Sequence, residues 1–340
     1  MSGARLFVVV NHAAARARVA WPRVREALVR AGVDFAAPEP GGPARTEELT
    51  RSALAEGFGT VAVLGGDGTL GAAAAGFFEP CEGMKEGGLP RAVNPSAALA
   101  VRPAGTGNDF ARGLAGGRPG PLESWVARLV EHCRGGGGAA TDGGGAVVRR
   151  AETARAVDVL VGSVGGGARR FVFLNAATLG VGAEVAARVA AQGASVRRLP
   201  GEARFALAAL PLLAAWRNRR VRVYLDGRLW RGCGTNLLAV VNGTYAGGGM
   251  NFSPRASLDD GLLDVLVVCD ISRPALLREL ARVRVGGHLH NPKVELARAA
   301  RVLVETEDPA DALGVEADGD PRGLTPAEFR VLPSALRVVR

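Results

Sequence analysis

"VAVLGGDGTLGAAAAGFF", residues 61–78, passes from a run of strand formers through three glycines around one carboxylate into a run of helix formers. Strand, glycine turn and helix together make an anion-binding geometry. Gly65, Gly66 and Gly68 let a ligand approach the backbone closely. The unpaired N–H groups at the start of the following helix favour negative charge. Asp67, at the centre of this turn, would repel a phosphate unless something positive lies between them. Mg²⁺, held directly or through its waters, is one mediator. Alternatively, Asp67 faces an acceptor and takes its proton. An ordinary Asp-Gly turn between strand and helix reads the same. The segment is no Walker A loop, because no Gly-Lys-Ser/Thr follows, and it is no clean GxGxxG.

"RPAGTGNDFARGL", residues 102–114, repeats the plan: a strand, a Gly105-Thr106-Gly107 turn, then Asn108 or Asp109 capping a helix. Two such turns at the ends of parallel strands would meet at one edge of the sheet, where open α/β sheets bind ligands. Asp67 and Asp109 could then share one hydrated metal.

The flanking sequence supports that sheet. "RLFVVVN" (5–11), "TVAVLG" (60–65) and "ALAVRP" (98–103) read as buried parallel strands. "WPRVREALVRAG" (21–32) reads as a helix with Pro22 near its start and Gly32 past its end. "TEELTRSALAEG" (46–57) reads as another, with Thr46 as N-cap and Glu47 and Glu48 in the first turn. This βαβ order predicts an α/β domain with a parallel sheet over residues 1–150.

The order then breaks. "CRGGGGAATDGGGAVVRR" (133–150) lacks the side chains for a core and is expected to be a mobile loop. Beyond it strand-like runs dominate: "AVDVLVG", "RRFVFLNAA", "RVRVYLDG", "TNLLAVVNG", "LLDVLVV" and "RVLVET". Asp226-Gly227 is a hairpin signal. Helical patterns interrupt near 182–192, 202–217 and 273–284, and no repeat of fixed period is visible. A second, β-rich and mainly antiparallel domain is expected over residues 151–321.

The 340-residue chain carries a net charge of +9, which favours a polyanionic partner: nucleotide, nucleic acid or anionic membrane surface. The basic residues are arginines apart from Lys85 and Lys293, and they are scattered. Aromatics make up 5% and no nucleic-acid-binding motif appears, so nucleic acid is not the expected partner. "LFVVV" is too short for a secretory signal, and no apolar run reaches the roughly 20 residues of a membrane span. "FALAALPLLAAW" (205–216) is broken by Pro211. Cys81, Cys133, Cys233 and Cys269 form no CxxC pair and are expected to be free thiols in a reducing cytoplasm. His288 and His290 could be a metal pair, but without neighbouring acids or thiols they read as a strand or loop detail.

"GGDGTL" followed by "PAGTGNDFAR" resembles the diacylglycerol kinase catalytic-domain superfamily, which includes bacterial lipid kinases and sphingosine kinases. NAD kinases share GGDGT but lack PAGTGND. The resemblance continues in "FLNAATLGVGAEVA" (173–186), "VNGTYAGGGMNFSPRASLDDGLLDVLVV" (241–268) and "VEADGDPRG" (315–323). It implies a two-domain, NAD-kinase/phosphofructokinase-like architecture with a ligand cleft between the domains. The tail, 322–340, returns to the first domain. By the same resemblance ATP and Mg²⁺ would bind in the cleft, and the hydroxyl of diacylglycerol or a related lipid would be phosphorylated at an anionic membrane surface, giving a phosphatidic-acid-type product. The enzyme implied is cytoplasmic and peripherally membrane-associated; a homodimer is left open. The alternatives are an NAD kinase, or a nucleotide-binding regulatory protein with little turnover.

Residue by residue, the resemblance assigns Gly65, Gly66, Gly68, Thr69, Gly105, Thr106, Gly107 and Asn108 to the nucleotide loops. Asn11 matches an asparagine near the nucleotide, with His12 where the family usually has proline. Arg197 and Arg204 of "RRLPGEARF" match two phosphate-reaching arginines of the sphingosine kinase branch, with an extra Pro200 between them; a solvated basic helix face reads the same. Asp318 and Asp320 match the catalytic acids of the closing DGE motif, here DGD, so Asp320 is one methylene short of the usual Glu. The base is then Asp67, Asp318 or Asp320. Asp67 and Asp109 are the expected holders of the catalytic Mg²⁺ through water, and Asp259, Asp260 or Asp264 of "DDGLLDV" would hold a second, structural one or form a plain turn.

Overall fold

Three runs of apolar residues set the centre of the first unit in the computed structural model. β1 (Leu6–Val10), β3 (Thr60–Gly65) and β4 (Ala98–Pro103) are buried nearly end to end, as expected of parallel strands covered on both faces. The structure describes residues 5–339 except 40, 82–87, 106, 136–138, 142–146, 150–152, 193–195, 197–206, 213, 214 and 216. The chain divides into two compact units. The first is Met1–Pro80, Pro90–Val157 and Ser334–Arg340; the second is Cys81–Leu89 and Asp158–Pro333.

In the first unit α1 (Ala15–Arg30), the short β2 (Phe35–Ala36), α2 (Pro43–Ala55), α3 (Asp67–Ala75), α4 (Asp109–Ala115) and α5 (Leu122–Cys133) join these strands. β1 pairs in parallel with β2 and β3, and β3 with β4. Two helix starts differ from the sequence-based expectation. α1 begins at Ala15 rather than near Trp21, so Pro22 lies inside the helix. The Asn11 carboxamide accepts from the Ala13 and Ala14 amides at 3.1 and 3.3 Å and turns the chain into that earlier start. Thr46 is not an N-cap either. α2 starts at Pro43, a residue suited to a first helical turn, and the Thr46 hydroxyl bonds back to the Gly42 carbonyl at 2.9 Å. α5 has no counterpart in the sequence-based expectations, although Trp125, Val126, Leu129 and Cys133 lie on one buried face.

Within the glycine-rich stretch expected to be a mobile loop, β5 (Ala139–Thr141) pairs antiparallel with β6 (Val147–Arg149). Backbone pairing needs no core, so the lack of apolar side chains did not preclude it.

The second unit is a β-sandwich backed by helices. β7 (Ala154–Val164) and β8 (Arg169–Phe173) form a hairpin. β9 (Ala176–Gly180) leads into α6 (Val181–Ala190). β10 (Arg219–Leu225) and β11 (Arg228–Thr235) are joined by Asp226-Gly227, both at positive φ (48° and 80°), the turn signalled in the sequence. Next come β12 (Leu237–Val241), the short β13 (Tyr245–Ala246) and β14 (Met250–Asn251), β15 (Leu263–Val268) and α7 (Arg273–Arg282). β16 (Val294–Ala299), β17 (Arg301–Thr306), β18 (Gly314–Ala317), β19 (Asp320–Leu324) and β20 (Ala327–Val339) complete the chain.

Six antiparallel strands run in the order β16-β15-β12-β9-β18-β19. β10 lies between β11 and β17, which pairs with the first residues of β20. Alternation along β12 explains the layers: Leu238 and Val240 face the other sheet's Val221, Val223, Val302 and Val304, whereas Leu237, Ala239 and Val241 pack with Val185 of α6 and Leu276 of α7. The last residues of β20 belong to the first unit, where Arg337–Val339 run parallel to Ala98–Ala100 of β4.

The expectation of four free thiols is corrected here. Cys233 at the end of β11 is disulfide-bonded to Cys269, 36 residues on, with a Cα–Cα distance of 5.7 Å. Reciprocal bonding between Gly234 and Asp270 brings the two segments together. Cys133 is a buried thiol, its pKa pushed up to about 11 by burial.

Candidate active site

In the first unit, the register of β3 on β4 sets Leu64 opposite Arg102 and Gly65 opposite Pro103, so both glycine turns leave the sheet side by side. Their backbones meet: a Cβ on Gly105 would lie 2.5 Å from the Gly66 Cα, and one on Gly66 would lie 3.2 Å from the Gly105 Cα. A side chain on Gly105 would force the backbones apart, and one on Gly66 would crowd them.

Side chains lock each turn. Asn108 takes the left-handed conformation (φ 53°, ψ 43°). Its Oδ1 accepts from the Gly105 amide at 2.8 Å and its Nδ2 donates to the Gly105 carbonyl at 3.1 Å. Arg112 Nε donates to the Gly107 carbonyl at 2.9 Å. Asn11 Nδ2 donates to Thr69 Oγ1 at 2.8 Å, tying the end of β1 to the GGDGT turn. α3 starts with Gly66 as N-cap and no side chain capping its first amides, which leaves them for an anion.

Asp67 Oδ1 accepts from the Phe110 amide at 3.2 Å, so its carboxylate spans from the first turn to the start of α4. Burial raises its pKa above the ordinary aspartate value, opposed by the amides of Asp109, Phe110 and Asn108. Asp109 opens α4 and is itself buried, at 5% exposure. A small cavity is lined by Gly65, Gly66, Asp67, Pro103 and Asn108. Thr106, Arg197 and Arg204 lie outside the described residues.

In the second unit, the closing DGD segment is a two-residue hairpin turn. Asp318 and Gly319 have φ of 51° and 91°, and Ala317 pairs with Asp320 across them. Gly319 suits this turn because it takes positive φ without strain. The Asp318 carboxylate accepts three backbone amides, Leu174 at 2.7 Å, Asn175 at 3.0 Å and Ala176 at 3.1 Å. Burial nonetheless pushes its pKa up to about 6, with those amides opposing. Asp320 is different: its side chain is 42% exposed, with Arg322 Nη2 at 3.6 Å. Of the two acids, Asp320 keeps the freer oxygens.

Asp259 Oδ1 accepts from the Ser257 hydroxyl at 2.6 Å, and Asp260 Oδ1 accepts from the Leu262 amide at 3.1 Å. Asp264 is buried against Ser253, 2.8 Å away, which leaves its pKa raised by burial. Among the described residues no group of three or more His, Cys, Asp or Glu is gathered so as to hold a metal. His288 Nε2 lies 3.2 Å from the Phe252 carbonyl.

Two residues absent from the sequence reading belong to these sites. Arg16 Nη1, from α1, reaches the Gly105 carbonyl at 3.0 Å; nothing in the alanine- and arginine-rich local sequence marks it. Glu316 is 7% exposed, accepts from Thr178 Oγ1 at 2.7 Å, and also accepts from the Gly319 amide of the DGD turn. Burial first, and the nearby Asp318 charge as a lesser cause, push its pKa up to about 7, while Thr178, Gly319 and Arg322 oppose. A lone Glu within the apolar run of β18 was the available signal.

Residues 5–135 match the family model of the diacylglycerol kinase catalytic domain, and residues 177–340 match that of the YegS C-terminal NAD kinase beta sandwich-like domain. A Pseudomonas aeruginosa protein named "Probable lipid kinase YegS-like" is 31% identical over 290 residues, covering 85% of this chain and 79% of its own. A "Diacylglycerol kinase" of Mycobacterium tuberculosis is 29% identical over 314 residues, covering 92% and 87%. A crystal structure of a diacylglycerol kinase from Bacillus anthracis str. Sterne superposes with a TM-score of 0.65 at 18% identity, covering 100% and 97%. The two matched segments fall on the paired glycine turns and on the β-sandwich with its closing acidic hairpin, and on that footing the chain belongs to the diacylglycerol kinase catalytic-domain family, with a C-terminal domain of the YegS type.

Proposed function

We propose that this chain is a lipid kinase that transfers the γ-phosphoryl group of ATP to the hydroxyl of diacylglycerol or a related lipid, with Mg²⁺, at an anionic membrane surface. The observation that carries the nucleotide part is the backbone contact of Gly66 with Gly105 beside the uncapped start of α3. Two interlocked turns of bare backbone form a cradle for phosphates. The lipid acceptor rests on the names of the relatives.

In this reading Gly65, Gly66, Gly68, Thr69, Gly105, Thr106, Gly107 and Asn108 hold the phosphates, with Asn11 positioning Thr69 and Arg16 positioning Gly105. Arg197 and Arg204 would add positive charge from the family's correspondence. Mg²⁺ suits the residues present if it takes most of its ligands from phosphates and water, because it then needs only one or two carboxylates, here Asp67 and Asp109. When bound, it would neutralise charge developing on the transferred group. Asp320 is the proposed base for the acceptor hydroxyl, because Asp318 is occupied by three amides whereas Asp320 is half exposed. Asp318 and Glu316 would hold the hairpin that presents it.

Radiolabelled ATP, the purified chain and a panel of lipids with NAD included test the reading. Label in a lipid monophosphate is the expected result. Label in NADP instead would make the chain an NAD kinase. ATP binding without transfer to any acceptor would favour a regulatory nucleotide-binding protein, the reading that the shortened Asp320 side chain keeps in play.

A further inference from the structure

A cavity of about 350 Å³ opens where the end of α4 meets the start of α5, away from the residues assigned to the glycine turns. That volume falls within the range of small-molecule sites, roughly 300–1,000 Å³. Leu114 and Trp125 line the cavity, but at 4% and 5% exposure only their edges reach it. Its rim carries Arg118 and Arg128, and no carboxylate lines it. Both arginines are exposed, and among the described residues neither has a hydrogen-bond or ion-pair partner. Ser124 and Arg128 are four residues apart on α5 and share a face. The Ser124 hydroxyl donates to the Pro121 carbonyl at 2.7 Å, so it closes the wall rather than offering a donor.

The surroundings add positive charge. Arg102 of β4 is 1% exposed, and its pKa is lowered to about 9, chiefly by burial and further by the charge of Arg128. Arg128 therefore stands near a second guanidinium. α5 has Pro121 as N-cap with no side-chain cap, and Gly120 just before it also lines the cavity, so the start of a 12-residue helix adjoins it, its positive end partly offset by Glu123 in the first turn.

Two planar guanidiniums match the geometry of a phosphate group, which they can grip through paired N–H bonds. The edges of an indole and a leucine in the same lining add a small apolar contact that a bare anion would not use. We propose that this cavity is a second ligand site, separate from the glycine turns, for a phosphomonoester that carries an apolar group. The ligand could come as a free organic phosphate or as the phosphomonoester headgroup of a lipid in a membrane. The site does not depend on the kinase reading.

Binding to the purified full chain tests it, by calorimetry with phenyl phosphate, by the same titration with inorganic phosphate, and by flotation with phosphatidylcholine vesicles with and without phosphatidate. The comparison is the Arg118→Ala/Arg128→Ala double variant; both side chains are exposed, and an unchanged melting temperature would confirm its fold. Saturable phenyl phosphate binding that is weakened at least about tenfold in the variant, and is tighter than inorganic phosphate binding, supports a free organic ligand. Phosphatidate-dependent flotation lost in the variant, without phenyl phosphate binding, supports the headgroup. The proposal is overturned if neither probe binds, if the double variant binds as well as the parent, or if inorganic phosphate binds as tightly as phenyl phosphate. ATP affinity, measured in parallel, should be unaltered by the variant, and none of these readouts requires turnover.

Discussion

Asp67 poses the sharpest question at the scale of single residues, because a carboxylate sits in a turn built for anions. Its bond to the Phe110 amide answers half of it: the side chain links the first turn to the start of α4. An amide oxygen can accept the same bond, so Asp67→Asn should keep the loop geometry while removing the charge. Turnover is expected to fall by about 100-fold or more with an unchanged melting temperature; near-parental turnover would take Asp67 out of the reaction. The proposed base, Asp320, is tested by a pair of variants under saturating ATP. Asp320→Glu should keep or raise kcat, since it restores reach, whereas Asp320→Asn should lower it by about two orders of magnitude or more. Small and equal effects would shift the base to Asp318 or Asp67. The buried acids below the turn predict a pH dependence of stability. Glu316 and Asp318 are pushed up to about 7 and about 6 from 4.5 and 3.8, so the folded state holds protons that the unfolded chain releases. Their contribution is complete below pH about 4 and is lost as pH rises through about 7. The melting temperature should decline across that window, and Glu316→Gln should flatten the decline. A parent whose stability rises from pH 5 to 7, with a variant that tracks it, would contradict the assignment.

At the scale of elements, the meeting of two turns does what neither turn does alone. Gly66 and Gly105 touch through backbone, and the two positions are unequally tight, 3.2 Å against 2.5 Å for an added Cβ. Gly105→Ala should therefore cost more than Gly66→Ala, by about 1–3 kcal/mol of stability in urea unfolding, and should weaken ATP binding with it. Equal, negligible effects would show that the turns can separate without consequence. This contact was legible in advance: "VAVLG" and "ALAVRP" are apolar enough to be central parallel strands, and each ends in a glycine turn. The early start of α1 was not legible, because "NHAAARAR" has no apolar period and the start is set by the bonds of Asn11 to Ala13 and Ala14. The Thr46 misreading has a similar cause: a threonine followed by two glutamates and then Leu49 resembles a cap, but Pro43 starts the helix a turn earlier.

At the scale of the whole molecule, charge and surface matter more than any single contact. Among the described residues no helix is long and apolar enough to cross a membrane. With a net charge of +9, the chain should bind anionic vesicles and leave them as salt shortens the Debye length below about 10 Å. Equal binding to neutral vesicles, or no response to salt, would argue against electrostatic recruitment.

The sequence by itself determined the strand–helix alternation of the first half apart from α5, the α/β and β-rich character of the two halves, and the pairing of "GGDGTL" with "PAGTGNDFAR". All of these follow from local causes: side-chain period, glycine at turns and the length of apolar runs. Tertiary structure alone decided which partners meet across long stretches of chain. Cys233 and Cys269 are joined across 36 residues because β11 and the end of β15 are held together by Gly234 and Asp270. Asp318 and Asp320, alike in sequence, differ because three amides from residues 174–176, more than 140 positions away, close around the first and none around the second. Burial and the hydrogen bonds that offset it belong to packing, and no local pattern of residues specifies them.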